Sequence, residues 1–178
     1  DFDVGSEGVV SKFVKEEKKI MTVNIKVPET RADAAKSATE ANAVWREFKA
    51  AYDYSLQNFR TTIIDTATEA WELLRMARFG KLTQVMPHHY VTVNTEFRRL
   101  IRSAYDTDSN LILIHKRKKQ WREGSDGKAN WTGDYERNGF SDTGFLVQVN
   151  AIATRKNGEF HIHVVDCRQN AQCAGLDM

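Results

Sequence analysis

The residue best placed for chemistry is Asp65, which ends a short run of β-branched residues, Thr61 to Ile64. Such a run predicts a buried strand. An acid at the carboxyl end of a strand lies at the edge where open α/β sheets bind ligands. Thr66 or Thr68 is suited to cap the helix predicted from about residue 67 to 79. Many buried strands end in an acid for structural reasons alone, so both a ligand-binding and a purely structural role for Asp65 stay open.

A second apolar run, Leu111 to Ile114, ends in His115 and leads into the basic run Lys116-Arg117-Lys118-Lys119. Cations interleaved with tryptophans suit proteins that contact phosphates while stacking on bases. The predicted DNA-binding residues are Lys118, Lys119, Trp121 and Arg122, with Trp131 nearby. The alternative is a solvated loop face.

The histidines and cysteines give weaker signals. His88-His89, and His161 with His163, have no cysteine or carboxylate at ligand spacing, so polar strand and loop positions explain them better than a metal site. Cys167 and Cys173 fit reduced cytosolic thiols better than a disulfide scaffold.

The composition is that of a globular domain: 178 residues, 41% hydrophobic, 28% charged and a net charge of +2. No apolar run approaches 18 residues and no signal peptide is recognisable, so membrane insertion and secretion are not indicated. We expect a cytoplasmic protein, in the host cytoplasm if it is viral.

The predicted elements alternate between strands and helices. We expect a strand at residues 20–27, a long helix at 32–58, a strand at 61–65, a helix at about 67–79 closed by Gly80, a helix at about 93–105, a strand at 111–115, and two final strands at 145–155 and 159–168. Asn157-Gly158 predicts a hairpin between the last two. Alternation with continuous apolar strands predicts an α/β fold, a mostly parallel sheet with helices on both faces, finished by antiparallel strands.

The order of these motifs resembles the RecA-like branch of P-loop ATPases, and more closely the ATP-binding proteins of phage genomes that are linked to recombination. Asp1-Phe2-Asp3 before Gly5 resembles the acidic end of the strand after the P-loop helix. Ile63-Ile64-Asp65-Thr66 resembles the Walker B segment. Leu111 to Lys116 resembles the next core strand with its polar sensor, and the hairpin near Asn157-Gly158 the closing one. The resemblance implies a single RecA-like domain over residues 1–178.

The resemblance also implies ATP and Mg²⁺ as cofactors. Asp65 would hold Mg²⁺ through water with support from Thr66. Asp3 would orient the attacking water, with Asp1 as the nearby alternate, and His115 would sense the γ-phosphate. Lys116 or Arg117 would stabilise transition-state charge. The expected partners are single-stranded DNA, recombination or replication proteins, and further copies of the chain in a homo-oligomer.

One motif of the family is missing. The Walker A pattern, Gly-x4-Gly-Lys-Ser/Thr, does not occur, since Gly80-Lys81 and Gly127-Lys128 are followed by neither Ser nor Thr. The sequence also starts at Asp1 without Met, so we expect that the P-loop strand and helix precede it in the natural protein. The alternative is a non-catalytic DNA- or protein-binding module that lacks the P-loop. A structural virion protein is a third possibility, for which no repeat or coiled-coil pattern is seen.

Overall fold

The computed structural model describes residues 1–3, 10, 19–29, 33–80, 89–124 and 127–178. The chain divides into two compact units, Asp1–Phe140 and Ser141–Met178. The first unit contains helices α1 (Ala34–Asn58), α2 (Ala67–Phe79) and α3 (Tyr90–Ser103), and strands β1 (Thr61–Asp65), β2 (Asn110–Ile114), β3 (Arg117–Glu123) and β4 (Ala129–Arg137). The second contains the short helix α4 (Thr143–Leu146) and strands β5 (Val149–Lys156) and β6 (Glu159–Cys167).

Apolar residues at helical spacing build the core of the first unit. Helix α1 packs on α2, and α2 packs on α3. Each helix buries one apolar stripe: Trp45, Phe48, Tyr52 and Leu56 in α1; Ala70, Leu73, Leu74 and Ala77 in α2; Val93, Phe97, Leu100 and Ile101 in α3. The Tyr52 hydroxyl donates to the Leu100 carbonyl at 2.8 Å, so α1 is also joined to α3 by a buried hydrogen bond.

The helix ends are set by residues visible in the sequence. Thr66 caps α2, its hydroxyl accepting from the Glu69 amide, as predicted. Gly80 closes α2 in the left-handed conformation, with φ of 67°. The hairpin predicted at Asn157-Gly158 is confirmed, because β5 and β6 pair antiparallel around that turn.

The predicted fold class, a RecA-like core with a mostly parallel sheet, is wrong. The described residues form three separate two-stranded sheets, of which β1–β2 is parallel and β3–β4 and β5–β6 are antiparallel. Parallel strands need a crossover connection, and the crossover seen here is the one from β1 to β2 through α2 and α3. The basic stretch after β2 instead turns back on itself as an exposed hairpin.

The parallel pair β1–β2 also differs from a doubly wound sheet, in which helices bury both faces, because only one of its faces is buried. One face, carrying Thr62 and Ile64, is buried, while the other presents Ile63, Ile112 and Ile114 at about half exposure. Residues 19–29 contain no regular strand, so the strand predicted at 20–27 is not formed; their link to the rest includes a hydrogen bond from the Ile25 amide to the Asp1 carbonyl. The sequence also predicts a short helical turn at residues 9–13, and all of this stretch except residue 10 lies outside the described residues.

The closure of α2 generates a stability prediction. A Cβ at Gly80 would collide with the carbonyl of Ala34, and the positive φ disfavours any side chain. Gly80→Ala is therefore expected to lower the free energy of unfolding by more than ~2 kcal/mol. Gly133 has φ of 90° but open space around it, so the matched control Gly133→Ala should lose only ~1 kcal/mol. Urea titration followed by circular dichroism measures both; equal losses would contradict the steric argument.

Candidate functional site

Three segments far apart in the sequence meet where β1 and β2 end, which we call the carboxyl edge. Asp65, the last residue of β1, lies opposite Ile114, the last residue of β2. Lys116 follows two residues later. The amide of Phe2 donates to the Asp65 carbonyl at 2.5 Å, which brings Asp3 to the same edge. The structure therefore brings together Asp65, Asp3 and Lys116, which the sequence analysis had named as candidates from separate segments.

Lys116 joins two acids at this edge. Its ammonium lies 2.7 Å from Oε1 of Glu69 and 3.3 Å from Oδ1 of Asp3. The hydrogen bond to Glu69, reinforced by the one to Asp3, raises the pKa of Lys116 above its ordinary value. All three side chains are partly exposed, so these ion pairs contribute little to stability and mainly fix where the charges stand. Glu69 was missed in the sequence because it reads as a helix-surface residue.

The other predicted carboxyl-edge residues differ in availability. The Asp65 carboxylate is partly exposed and accepts no hydrogen bond from the described part of the chain. The Thr66 side chain is 4% exposed and its hydroxyl is used to cap α2. The carboxylate of Asp1 accepts from the Asp3 amide at 2.9 Å. Asp65 thus presents a carboxylate that a ligand can reach.

His115 is held as a neutral imidazole. The pKa of His115 is lowered from the ordinary 6.5 to about 4, chiefly by burial; the hydrogen bond to Asn138 partly opposes this change and the charge of Arg137 adds to it. Its Nδ1 lies 3.1 Å from the Asn138 carbonyl, which can only accept, so the proton is on Nδ1. The buried Nε2 then has a lone pair and no hydrogen-bond partner among the residues that the structure describes. In this tautomer Nε2 can accept a hydrogen bond but cannot donate one to a phosphate oxygen, which argues against His115 as a γ-phosphate sensor.

A hydrogen-bonded hub fixes the base of the β3–β4 hairpin beside the carboxyl edge. The fully buried Thr68 hydroxyl donates to the Asn138 carbonyl at 2.8 Å and accepts from the Lys116 amide at 3.0 Å. The Asn138 amide donates to the Lys116 carbonyl at 2.8 Å. Gly139 lies against the His115 ring, where a Cβ would be 3.4 Å from Nδ1. No sequence pattern marked Asn138, because its partners lie far from it along the chain.

The predicted DNA-binding residues all lie on β3, which pairs with β4 as a hairpin of mostly exposed residues. Arg117, predicted to contact nucleotide, is part of this hairpin: its guanidinium donates to the Tyr135 carbonyl at 2.9 Å and lies over the Tyr135 ring. Lys116 belongs to the carboxyl edge, and Arg117 to the hairpin.

The described residues contain no cluster of three or more His, Cys, Asp or Glu side chains that could hold a metal by themselves. His163 instead pairs with Asp177, Nδ1 to Oδ1 at 2.6 Å, and His88 lies outside the described residues. Among the helices that the structure describes, none has the length and apolar character needed to cross a membrane.

Comparison with known proteins adds no relative: no protein-family model, curated protein or solved structure matches this chain.

The state of His115 predicts a pH dependence. Between about pH 6.5 and about pH 4 the unfolded chain binds a proton that folded His115 does not, so the free energy of unfolding falls as the pH drops through this window. His115→Gln should flatten the fall. Glu72, whose pKa is raised by burial, acts in the opposite direction but is common to both proteins and cancels in the difference. Urea titrations across the window test this, with His161→Gln, a partly exposed strand histidine, as the control; unchanged pH dependence in His115→Gln would refute it.

The hydrogen bonds of Thr68 predict that removing its hydroxyl lowers the free energy of unfolding. Thr68→Val keeps the shape but leaves the Lys116 amide and the Asn138 carbonyl each short of a partner, so the free energy of unfolding should fall by ~1–3 kcal/mol. Thr132→Val, at an exposed hairpin position, should change it by less than ~0.5 kcal/mol. Thermal or urea unfolding measures the free energy of unfolding of both variants. An unchanged value in Thr68→Val would contradict the prediction and show that water replaces the hydroxyl at no cost.

Proposed function

We propose that this chain binds ATP with Mg²⁺ at the carboxyl edge of β1–β2, takes part in its hydrolysis, and acts on single-stranded DNA in recombination or replication. The observation that carries the proposal is the convergence of Asp65, Asp3 and Lys116 from three distant segments on one sheet edge. Ligands of α/β proteins bind at this edge. An acid beside a cation is the pairing that a metal-bound phosphate requires.

The donor set fits Mg²⁺ in a nucleotide site. Mg²⁺ is usually held by one or two carboxylates together with phosphates and waters, and it supplies charge neutralisation to the transferred phosphate. The open carboxylate of Asp65 suits that ligand role, whereas the Thr66 hydroxyl is already committed to the helix cap.

The other residues at the carboxyl edge have separate roles in this proposal. Asp3, exposed and 3.3 Å from Lys116, would accept a hydrogen bond from the attacking water. Lys116 would exchange a carboxylate partner for a phosphate oxygen when nucleotide enters, and its raised pKa keeps it charged. Neutral His115 positions Asn138 and the hairpin base.

A second candidate function is a nucleic-acid-binding module that does not turn over nucleotide. The observation favouring it is the exposed basic and aromatic β3–β4 hairpin, combined with the absence of the Walker A pattern from these 178 residues. The two functions differ in one measurable property, which is whether phosphate release depends on Mg²⁺ and on Asp65.

The test is ATP binding and phosphate release by the 178-residue chain and by the protein as its gene encodes it, each with Mg²⁺ and with chelator. Asp65→Asn is expected to lower Mg²⁺-dependent hydrolysis by about 100-fold or more, because it removes the charge that holds the metal. Asp108→Asn, an exposed acid after the turn Ala104–Asp106, is the matched control and should retain activity. Hydrolysis that is absent in the encoded protein, or that survives Asp65→Asn, would reject the proposal and favour the second candidate.

A further inference from the structure

The β3–β4 hairpin has two faces of different chemistry, which its register separates. Lys119 lies opposite Tyr135, and Trp121 lies opposite Trp131. Opposed residues of an antiparallel pair point to the same side, and alternate residues along a strand share a face. Between Lys119 and Trp121 the pairing shifts by two residues of β4, an even number, so the odd-numbered positions of both strands remain on one side. We call this side the aromatic face: Arg117, Lys119, Trp121, Trp131, Tyr135 and Arg137, with Glu123 near the turn.

Ring contacts confirm the grouping. The Lys119 ammonium lies 5.0 Å from the centre of the Trp131 ring, and the Arg117 guanidinium lies 5.5 Å from that of Tyr135. Trp131 and Tyr135 meet edge to face at 6.3 Å. The three aromatic side chains nevertheless stay about half exposed: Trp121 at 56%, Trp131 at 47% and Tyr135 at 48%. The rings of Trp131 and Tyr135 are therefore held in place by neighbouring cations, while about half of each of the three aromatic side chains faces solvent.

The opposite face is polar and close to neutral. Lys118 pairs with Glu136 at 3.3 Å, and the Thr132 hydroxyl donates to the side-chain oxygen of Gln120 at 3.1 Å. Arg122 lies opposite Asn130. The sequence grouped Lys118 and Arg122 with Lys119 as one basic run, but the register places them on the side that carries no aromatic ring.

We propose that the aromatic face of the hairpin binds single-stranded nucleic acid, with Trp121 and Trp131 stacking on bases and Arg117 and Lys119 contacting phosphates. The proposal deepens the DNA part of the proposed function and rests on it. Charge complementarity selects the occupant, because this face carries the exposed cations Arg117 and Lys119, with the partly buried Arg137 at its base, against one acid. Exposed rings beside cations are the arrangement by which proteins bind unpaired bases without regard to sequence, and paired bases inside a duplex offer no free face to such rings.

Cross-strand aromatic pairs also stabilise a two-stranded hairpin, which is marginal in water by itself. That role alone requires neither an excess of cations on one face nor rings left half exposed. The two roles are separable, because Lys119 and Lys118 are adjacent, equally charged and on opposite faces.

The experiment measures binding of a fluorescein-labelled oligothymidylate of about 20 nucleotides by anisotropy, without ATP, at several salt concentrations. Lys119→Ala is expected to weaken binding about three- to tenfold and to reduce the salt slope by about 0.7, the value for one phosphate contact on a single strand. Trp131→Ala should weaken it about tenfold and remove part of the tryptophan quenching seen on binding. Lys118→Ala and Arg122→Ala should do neither. Circular dichroism checks that each variant keeps its fold.

Each of the other outcomes would overturn one stated part of the proposal. Equal weakening by Lys118→Ala and Lys119→Ala would overturn the face assignment while leaving the DNA part of the function intact. Binding of duplex as tight as of the single strand, unaffected by Trp131→Ala, would overturn stacking. No binding to oligothymidylate or to the matching oligouridylate would overturn both the inference and the DNA part, without touching the ATPase test.

Discussion

The register of β1 against β2 is the constraint on which the carboxyl edge depends. With Asp65 opposite Ile114, both strands end at the same level, and Lys116 leaves the sheet within reach of Glu69 and Asp3. A slip of one residue would turn every side chain of the strand to the other face and expose the buried Thr62 and Ile64. Burial of one face therefore fixes the geometry of the charged groups at its end.

The hairpin depends on the same edge through buried hydrogen bonds. Thr68, at the start of α2, binds both the chain leaving β2 and the chain returning at Asn138. His115 adds a second bond to the same carbonyl and remains neutral because charge is costly where it lies. The chain runs directly from the candidate nucleotide site at the end of β2 into the candidate nucleic-acid surface on the β3–β4 hairpin. The hydrogen bonds of Thr68 and His115 hold the base of the hairpin against that site.

Local patterns located most of the elements but not their assembly. Thr61–Asp65 matches the predicted strand, and α2 begins and ends at the predicted cap residues, because β-branched runs, a threonine cap and a left-handed glycine act over a few residues. The same patterns predicted a mostly parallel sheet finished by antiparallel strands. Alternation of strands and helices does not specify which strands pair, and here the stretch after β2 pairs with its own continuation instead of crossing over again.

The sequence by itself determined that an acid ends an apolar strand at Asp65 and that cations and tryptophans follow the next apolar strand. The tertiary structure decided which of these residues act together. It paired Lys116 with two acids, made His115 neutral through burial, and divided the basic run between two faces. The physical reason is that pairing register, burial and ion pairing arise between residues distant in the chain, whereas capping and strand preference arise between neighbours.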